Sequence, residues 1–454
     1  MTYNEKRFPI LLSTEGVRVM NESVSVRELA QKARSAAAPL SAAPLSARNQ
    51  ALLSIAKEIA AHIPELLKVN QEDVTQAREE KLAAPLLSRL QLTESKCRRM
   101  IEELEALASL PDPLGTVSSA LELSEGLELY RVSCPIGVIG VIFESRPDAL
   151  VQISALCLKS GNSVLLKGGR EAMRTNELLT SMILRASQSC GLPEGWCSLL
   201  HTREDVQEML KLHEYIDLII PRGSNAFVRY IMQNSQIPVL GHAEGLCHVY
   251  VDDPCDLETA VRVTVDSKTQ NLSVCNAAET LLVHAGIAGT FLPEVGRALL
   301  EKGVELRGDE KTQSLLGCKA AGQKDWETEY LDAILSIRVV DSLEEAIRHI
   351  NRYGSHHTDA IVSTDKNHVE RFMTEVDSAD VFANCSTRFA DGYLFGLGAE
   401  VGISTGKLHA RGPMGMEGLC TYKYRLYGNG QILRELNEGK IHLTHRPIPE
   451  ELPH

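Results

Sequence analysis

Cys275 lies in Ser273-Val274-Cys275-Asn276-Ala277-Ala278-Glu279-Thr280, just ahead of the apolar run Leu281-Leu282-Val283. A cysteine on a loop entering a buried strand stands where a nucleophile stands, with backbone N–H groups close by. About 30 residues upstream, a turn from Gly241 to Gly245 carries a single carboxylate, Glu244. Further upstream an apolar strand ends in Lys167-Gly168-Gly169-Arg170, a composition suited to phosphate. A lone cysteine is more often a buried structural thiol, and a lone turn glutamate is more often solvated. The combination of thiol, acid and nucleotide-type loop suggests an oxidoreductase that works through a thioester.

Three strand ends in the first half carry polar residues where a helix then begins: Glu144-Ser145-Arg146-Pro147-Asp148, Lys167 to Arg170, and Arg222-Gly223-Ser224-Asn225. Backbone N–H groups at helix starts attract phosphate, and Lys167, Arg170 and Arg222 add cationic donors. Any one of these is ordinary punctuation between strand and helix. All three on one sheet edge predict a dinucleotide or phosphate site, with Gly168, Gly223 and Ser224 letting backbone approach the ligand. The Gly-x-Gly-x-x-Gly fingerprint is absent there, and Gly396 to Gly402 is read as a loop. His242, Cys247 and His248 match no established zinc spacing, so no metal is expected. His356-His357 reads as a polar loop before a strand. Arg411, in His409-Ala410-Arg411-Gly412-Pro413, sits in a glycine-rich loop that could hold a substrate anion.

The elements that position these residues alternate. Leu52, Ile55, Ile59 and Ile63 recur at helical spacing within a helix-rich stretch over 48–110. Ala38–Ala42 repeats at once as Ala43–Ala47, read as a helix connection. Residues 120–134 alternate apolar with polar, as an amphipathic hairpin does. Strands are expected at 136–143, 163–167, 197–200, 216–220 and 238–241, with helices between them. A second series runs through strands at 248–252, 280–284, 334–340 and 358–364. This predicts an α/β protein with two doubly wound parallel sheets. The expected divisions are an extension over 1–20, a helical part of the cofactor domain over 21–119 and a hairpin over 120–134. A dinucleotide-binding domain over 135–245, a catalytic domain over 246–417, and a strand with a patternless tail over 418–454 complete them.

With 454 residues the chain can build two or three cores. Its net charge of −13 argues against bulk nucleic-acid binding and anionic membranes. Eleven scattered cysteines without a CxxC pair suit a reducing, cytoplasmic compartment. The N-terminus lacks a signal peptide's apolar core, and no run of 18 apolar residues occurs.

Several segments together resemble the aldehyde dehydrogenase superfamily, and within it the γ-glutamyl phosphate reductases. They are Pro135–Asp148, Leu165–Glu171, Leu218–Ser224, Ser273–Thr280, Ser386–Tyr393, Phe395–Ser404 and His409–Gly415. The likeness covers about residues 21–430. It implies NADPH-dependent reduction of L-glutamyl 5-phosphate to L-glutamate 5-semialdehyde, a step of proline biosynthesis, with Cys275 as nucleophile. It puts Lys167 at the nucleotide-ribose lysine, Glu329 at the nicotinamide-ribose glutamate and Glu244 at the general base. Arg170 stands where NAD-preferring members often carry an acid, which implies NADP+/NADPH. Arg146 replaces the oxyanion asparagine of hydrolytic members and suits an acyl phosphate. Substrate contacts are expected from Arg146, Asn276, Arg388 and Arg411. The resemblance also implies a homo-oligomer, a dimer or tetramer, paired through a β-flap from 120–134 and 418–430. A glutamate 5-kinase would supply the labile substrate. A cysteine hydrolase is the rival from another class; it would want a histidine beside Cys275 and no nucleotide loop. Another acyl-phosphate or acyl-CoA reductase is the nearest rival within the class.

Overall fold

The structure, a computed structural model, describes residues 24–397 and 400–453, so the extension expected over 1–20 lies outside the described residues. The first helix, Val26–Ala42, begins where Ser25 and Glu28 exchange hydrogen bonds. The Glu28 backbone N–H donates to Ser25 Oγ at 3.2 Å, and the Ser25 N–H donates to Glu28 Oε2 at 2.9 Å. Pro39 lies inside this helix, so the first copy of the tandem repeat is helical rather than a connection. Ala36, Ala37 and Leu40 are buried there, and packing plus alanine-rich flanks outweigh the proline. Pro44 then caps the next helix, Leu45–Ala61. Helices Ile63–Glu79, Ala84–Leu90 and Glu94–Ser109 complete this layer. Leu52, Ile55 and Ile59 from it join Ile139 and Val141 of the first sheet in one core.

Strands β1 (Val117–Ser124) and β2 (Leu127–Pro135) form the antiparallel hairpin. The chain then enters β3 (Val138–Phe143), β4 (Ser163–Lys167), β5 (Cys197–Leu200) and β6 (Leu218–Arg222), a parallel sheet in the order β5-β4-β3-β6. Every residue of β3 and β4 is buried, as helices on both faces require. The strand expected at 238–241 shrinks to one parallel bridge between Ile219 and Val239. Pro238 has no N–H to continue a ladder.

The second sheet holds β7 (Cys247–Val251), β8 (Ala278–His284), β9 (Glu305–Gly308), β10 (Lys319–Ala320), β11 (Ile334–Val340), β12 (Thr358–Val362) and β13 (Asp380–Ala383). All are parallel, in the order β10-β9-β11-β8-β7-β12-β13. The short strands β9, β10 and β13 were not expected. They sit toward the sheet's edges, and half-exposed positions dilute the apolar runs that mark β7 and β8. A two-stranded ladder pairs β14 (Gly402–Ser404) with β15 (Gly412–Met414). Strand β16 (Cys420–Tyr427) pairs with β2, and β17 (Arg446–Pro447) pairs with β1. The tail is therefore less patternless than its sequence, and it also holds a short helix, Leu433–Asn437. No helix among the described residues is long and apolar enough to cross a membrane.

The two parallel sheets are used from opposite edges. The polar loops of the first follow the carboxyl ends of β3, β4 and β6. Cys275 instead precedes β8, at the amino edge of the second sheet. Its loop is closed at the base by a fully buried ion pair. Lys268, near the end of helix Leu257–Thr269, donates from Nζ to Glu279 Oε2 at 2.6 Å, and both side chains are 0% exposed. Burial pushes the Glu279 carboxyl up to about 7 and Lys268 down, and each partner pulls the other back toward its charged form. Glu279 Oε1 also accepts the Leu331 backbone N–H at 3.1 Å, which brings in the loop carrying Glu329.

Glu279→Gln should therefore cost about 3–5 kcal/mol in denaturant unfolding, because it leaves a buried ammonium without its counter-charge. The double variant Lys268→Met/Glu279→Leu should recover most of that loss.

Candidate active site

Cys275 is held by its backbone. Gly245 packs so closely that a Cβ there would lie 2.0 Å from the Cys275 carbonyl oxygen and 2.6 Å from its Cα. Only glycine lets the Gly241–Gly245 turn reach the Cys275 loop. Cys247 Sγ donates to the same carbonyl at 3.2 Å. Asn276 is buried and donates from Nδ2 to the Ala390 carbonyl at 2.9 Å, while its own carbonyl accepts from Thr387 Oγ1 at 2.7 Å. These bonds anchor the Cys275 loop to the segment that carries Arg388.

Electrostatically the thiol is restrained. Burial pushes it up to about 12, and the carboxylates of Glu400 and Glu329 add to the shift. The Arg222 guanidinium works against them. Arg222 donates from Nη1 to the Glu400 carbonyl at 3.3 Å, with Nη2 3.8 Å from the Glu400 carboxylate. Arg146 adds its positive charge to this pair, and Arg388, half-buried, lies close enough for the thiol to act on it. Glu329 accepts from Asn225 Nδ2 at 2.5 Å and from the Gly245 N–H at 3.0 Å, joining the first sheet's last helix to the second sheet's turn.

Glu244 and Arg411 take other partners. The Glu244 carboxylate pairs with Arg229, and the carboxylates that act on the thiol are Glu400 and Glu329. Arg411 donates from Nη2 to Asp377, at 3.2 Å to its carbonyl and 3.1 Å to Oδ1. Two histidines are nearer to the thiol than the sequence suggested. A ring nitrogen of His242, one of His357 and Cys275 Sγ all lie within 4.8 Å of one another. His356 and His357 do form the loop before β12, but His357 is fully buried there, while His356 takes the turn with φ 61°. His248 is buried in a separate pair, Nδ1 to Asp359 Oδ1 at 2.8 Å. Spacing could not reveal His242, His357 or Glu400, because only the strand order brings them to Cys275.

The first sheet's three loops do converge. Glu171, following β4, accepts from the Ser145 backbone N–H at 2.8 Å and from Ser145 Oγ, and so pins the loop after β3. Ser145 is held at φ 39°, a strained value for a residue with a side chain. A Cβ on Gly223 would meet the Glu144 carboxyl at 3.0 Å, so the loop after β6 closes on the same point. At Gly168 a Cβ would lie 2.2 Å from Asn176 Nδ2. Lys167 is buried, pushed down by that burial, and its Nζ donates to the Gly168 carbonyl at 2.5 Å. Arg170 is 78% exposed and pairs with Glu80 at 2.9 Å. A buried ammonium bonded to a backbone carbonyl, a glycine, Gly168, at which a Cβ would run into Asn176, and an exposed guanidinium fit a phosphate-bearing nucleotide.

Residues 17–314 match the profile of the aldehyde dehydrogenase family. A γ-glutamyl phosphate reductase of Acetivibrio thermocellus is 54% identical over 95% of this chain and 100% of its own. The chain belongs to the γ-glutamyl phosphate reductases of the aldehyde dehydrogenase family. The crystal structure of a γ-glutamyl phosphate reductase from Thermotoga maritima superposes with a TM-score of 0.88 at 41% identity, covering 90% of this chain and 99% of that one. An acetylating aldehyde dehydrogenase from Geobacillus thermoglucosidasius, 15% identical with a TM-score of 0.61 over 90% of this chain and 97% of its own, shares the fold. This γ-glutamyl phosphate reductase fold is thus an oxidoreductase scaffold with its thiol between two sheets.

Since Cys275 is pushed up to about 12, its alkylation by iodoacetamide in the free protein should climb about tenfold per pH unit from roughly pH 7 to 10. An ordinary thiol would level off above about pH 9. Peptide mass spectrometry resolves Cys275 from the other cysteines, and a plateau below that pH would show a thiol already activated.

Proposed function

We propose that this enzyme reduces L-glutamyl 5-phosphate to L-glutamate 5-semialdehyde with NADPH, releasing phosphate, through a thioester on Cys275. The reading has it work in the cytoplasm, at the second step of proline biosynthesis from glutamate. The observation that carries it is the company of the thiol: Arg222 and Arg388 interact with Cys275, and Arg146 adds its charge to the Arg222–Glu400 pair. Cations around a nucleophile suit an acyl phosphate, whose leaving group is an anion.

Cys275 sulfur attacks the acyl carbon, the carbon–oxygen bond to phosphate breaks, and the thiol proton leaves with the departing phosphate. Backbone N–H groups near Cys275, with Arg146, stabilise the oxyanion. Asn276, Arg388 and Arg411 contribute to holding the substrate. Lys167, Gly168, Arg170, Arg222, Gly223, Ser224 and Glu329 would hold the cofactor, which when bound supplies hydride to the thioester. Collapse of the resulting hemithioacetal then frees the aldehyde and the thiol. Water takes no part, so Glu244 is not required as a deacylating base, and the reading leaves it to tune the thiol or to move a proton. The histidines beside Cys275 meet one condition of a cysteine hydrolase, but the Lys167–Arg170 cradle has no use in that chemistry.

The reading also includes a homo-oligomer paired through β1, β2 and β16, and a glutamate 5-kinase that supplies the labile substrate. Tyr422, Tyr424 and Leu426 on the outer strand β16 are exposed, which supports a partner there. A monomer by light scattering at micromolar concentration would remove that part.

In the reverse direction phosphate must cleave the thioester. With semialdehyde and NADP+, NADPH formation should require inorganic phosphate or arsenate, and Arg146→Ala should raise the phosphate requirement more than the NADP+ requirement. Steady NADPH formation without either anion would make water the acceptor and defeat the assignment. Arg170→Glu should raise the KM for NADPH by tenfold or more and change NADH little, on the scale of a charge-assisted hydrogen bond of about 1.5–3 kcal/mol. Equal effects on both cofactors would show that Arg170 does not read the 2′-phosphate.

A further inference from the structure

We propose that Cys275, His242 and His357 form a soft-metal site that takes a zinc-class divalent cation and silences the thiol while the cation is bound. The silencing rests on the reading of Cys275 as nucleophile; the binding does not.

The three residues stand before β8, β7 and β12, which are neighbours in the sheet. Adjacent strands run about 4.8 Å apart. Donors at the same end of neighbouring strands therefore meet without any sequence spacing to announce them. Here Sγ and one nitrogen from each imidazole lie within 4.8 Å of one another.

Hydrogen bonds fix which nitrogen each ring offers. His242 Nδ1 is 3.1 Å from the Ile403 carbonyl oxygen. That oxygen only accepts, so Nδ1 carries the proton and Nε2 the lone pair. His357 Nδ1 is 2.8 Å from Thr358 Oγ1, and Thr358 Oγ1 donates to Asp380 Oδ2 at 3.3 Å. The hydroxyl proton being spent on the carboxylate, Oγ1 accepts from His357, and Nε2 is again bare. His357 is 0% exposed, and its Nε2 has no hydrogen-bond partner.

Each ring thus keeps one lone pair while Cys275 brings a single thiol proton, which leaves an acceptor over. A cation resolves the mismatch. One thiolate and two neutral imidazoles form a zinc-type donor set with a fourth position left open. Zn–S of about 2.3 Å and Zn–N of about 2.0–2.1 Å place tetrahedral donors roughly 3.3–3.7 Å apart, so the cluster needs to tighten by at most about 1.5 Å. Magnesium and calcium prefer oxygen ligands and are not served by this set. The bonds from Nδ1 to Ile403 and Thr358 are the outer supports that orient histidine ligands in metal sites.

The test is a Co2+ titration of untagged, chelator-treated protein. One ion per chain should bind with the visible bands of tetrahedral cobalt and a thiolate-to-cobalt charge-transfer band, and Zn2+ should displace it. His242→Gln and His357→Gln should each weaken binding by about tenfold or more. Cys275→Ser should lose the charge-transfer band. In wild-type protein, which avoids any folding defect of the buried His357 variant, Zn2+ should slow alkylation of Cys275 at alkaline pH at least tenfold, reversed by chelator. A charge-transfer band that persists in Cys275→Ser, octahedral cobalt alone, or unchanged Cys275 alkylation would overturn the site. None of these measurements involves turnover, so a failed phosphate requirement would leave the site standing, and a failed titration would leave the reductase reading standing.

Discussion

The Lys268–Glu279 pair sets the geometry on which the candidate site depends. Its two residues flank the Cys275 loop, one at the end of a helix and one inside β8, and neither touches water. The second oxygen of Glu279 holds the Leu331 N–H, so the same carboxylate locates the segment with Glu329. A buried pair of this kind adds little net stability over a well-packed apolar alternative. Its contribution is position: it ties the end of helix Leu257–Thr269 to β8 and so holds both ends of the loop. Asn276 and Gly245 then refine the placement from the far side.

The opposed use of the two sheets follows from connectivity. In the first, the chain moves from β3 outward through β4 and β5 and returns to β6 on the other side. That reversal opens a crevice at the carboxyl ends, where Glu144, Ser145, Gly223 and Ser224 gather. The second sheet faces this crevice with its amino ends, so its contribution comes from residues just before strands: Gly245, Cys275, Glu329 and His357. Arg222 and Glu400 join the halves, and Asn225 with Glu329 joins them again. The first sheet's phosphate-suited loops and the Cys275 loop meet there.

Much of the fold was legible in the sequence because β3, β4, β7 and β8 are buried on both faces and are built largely from apolar residues. The three polar strand ends were legible for the same reason, since a strand that stops at Glu144, Lys167 or Arg222 marks its own edge. Strands β9, β10 and β13 were not, because they lie toward the edges with little apolar signal. Pro39 misled because local chemistry favours a break where tertiary packing of Leu40 favours a helix. Among site residues, Cys275 announced itself through its loop and the strand behind it. His357 did not, because the pair His356-His357 looks solvated while only one of the two is. The surroundings of Glu244 were also hidden: Arg229 lies 15 residues back on a helix face that faces the turn.

Gly245 limits how far this site could be redesigned. Its backbone rests against the backbone of Cys275, so the turn and the Cys275 loop share one contact plane with no side chain between them. Laboratory evolution toward bulkier or differently charged acyl groups would naturally target a half-exposed turn such as Gly241–Gly245. Substitutions at position 245 would displace Cys275 itself, whatever they did for the pocket. Productive libraries would have to keep that residue invariant and vary its neighbours, or transplant the turn and the loop together as one unit.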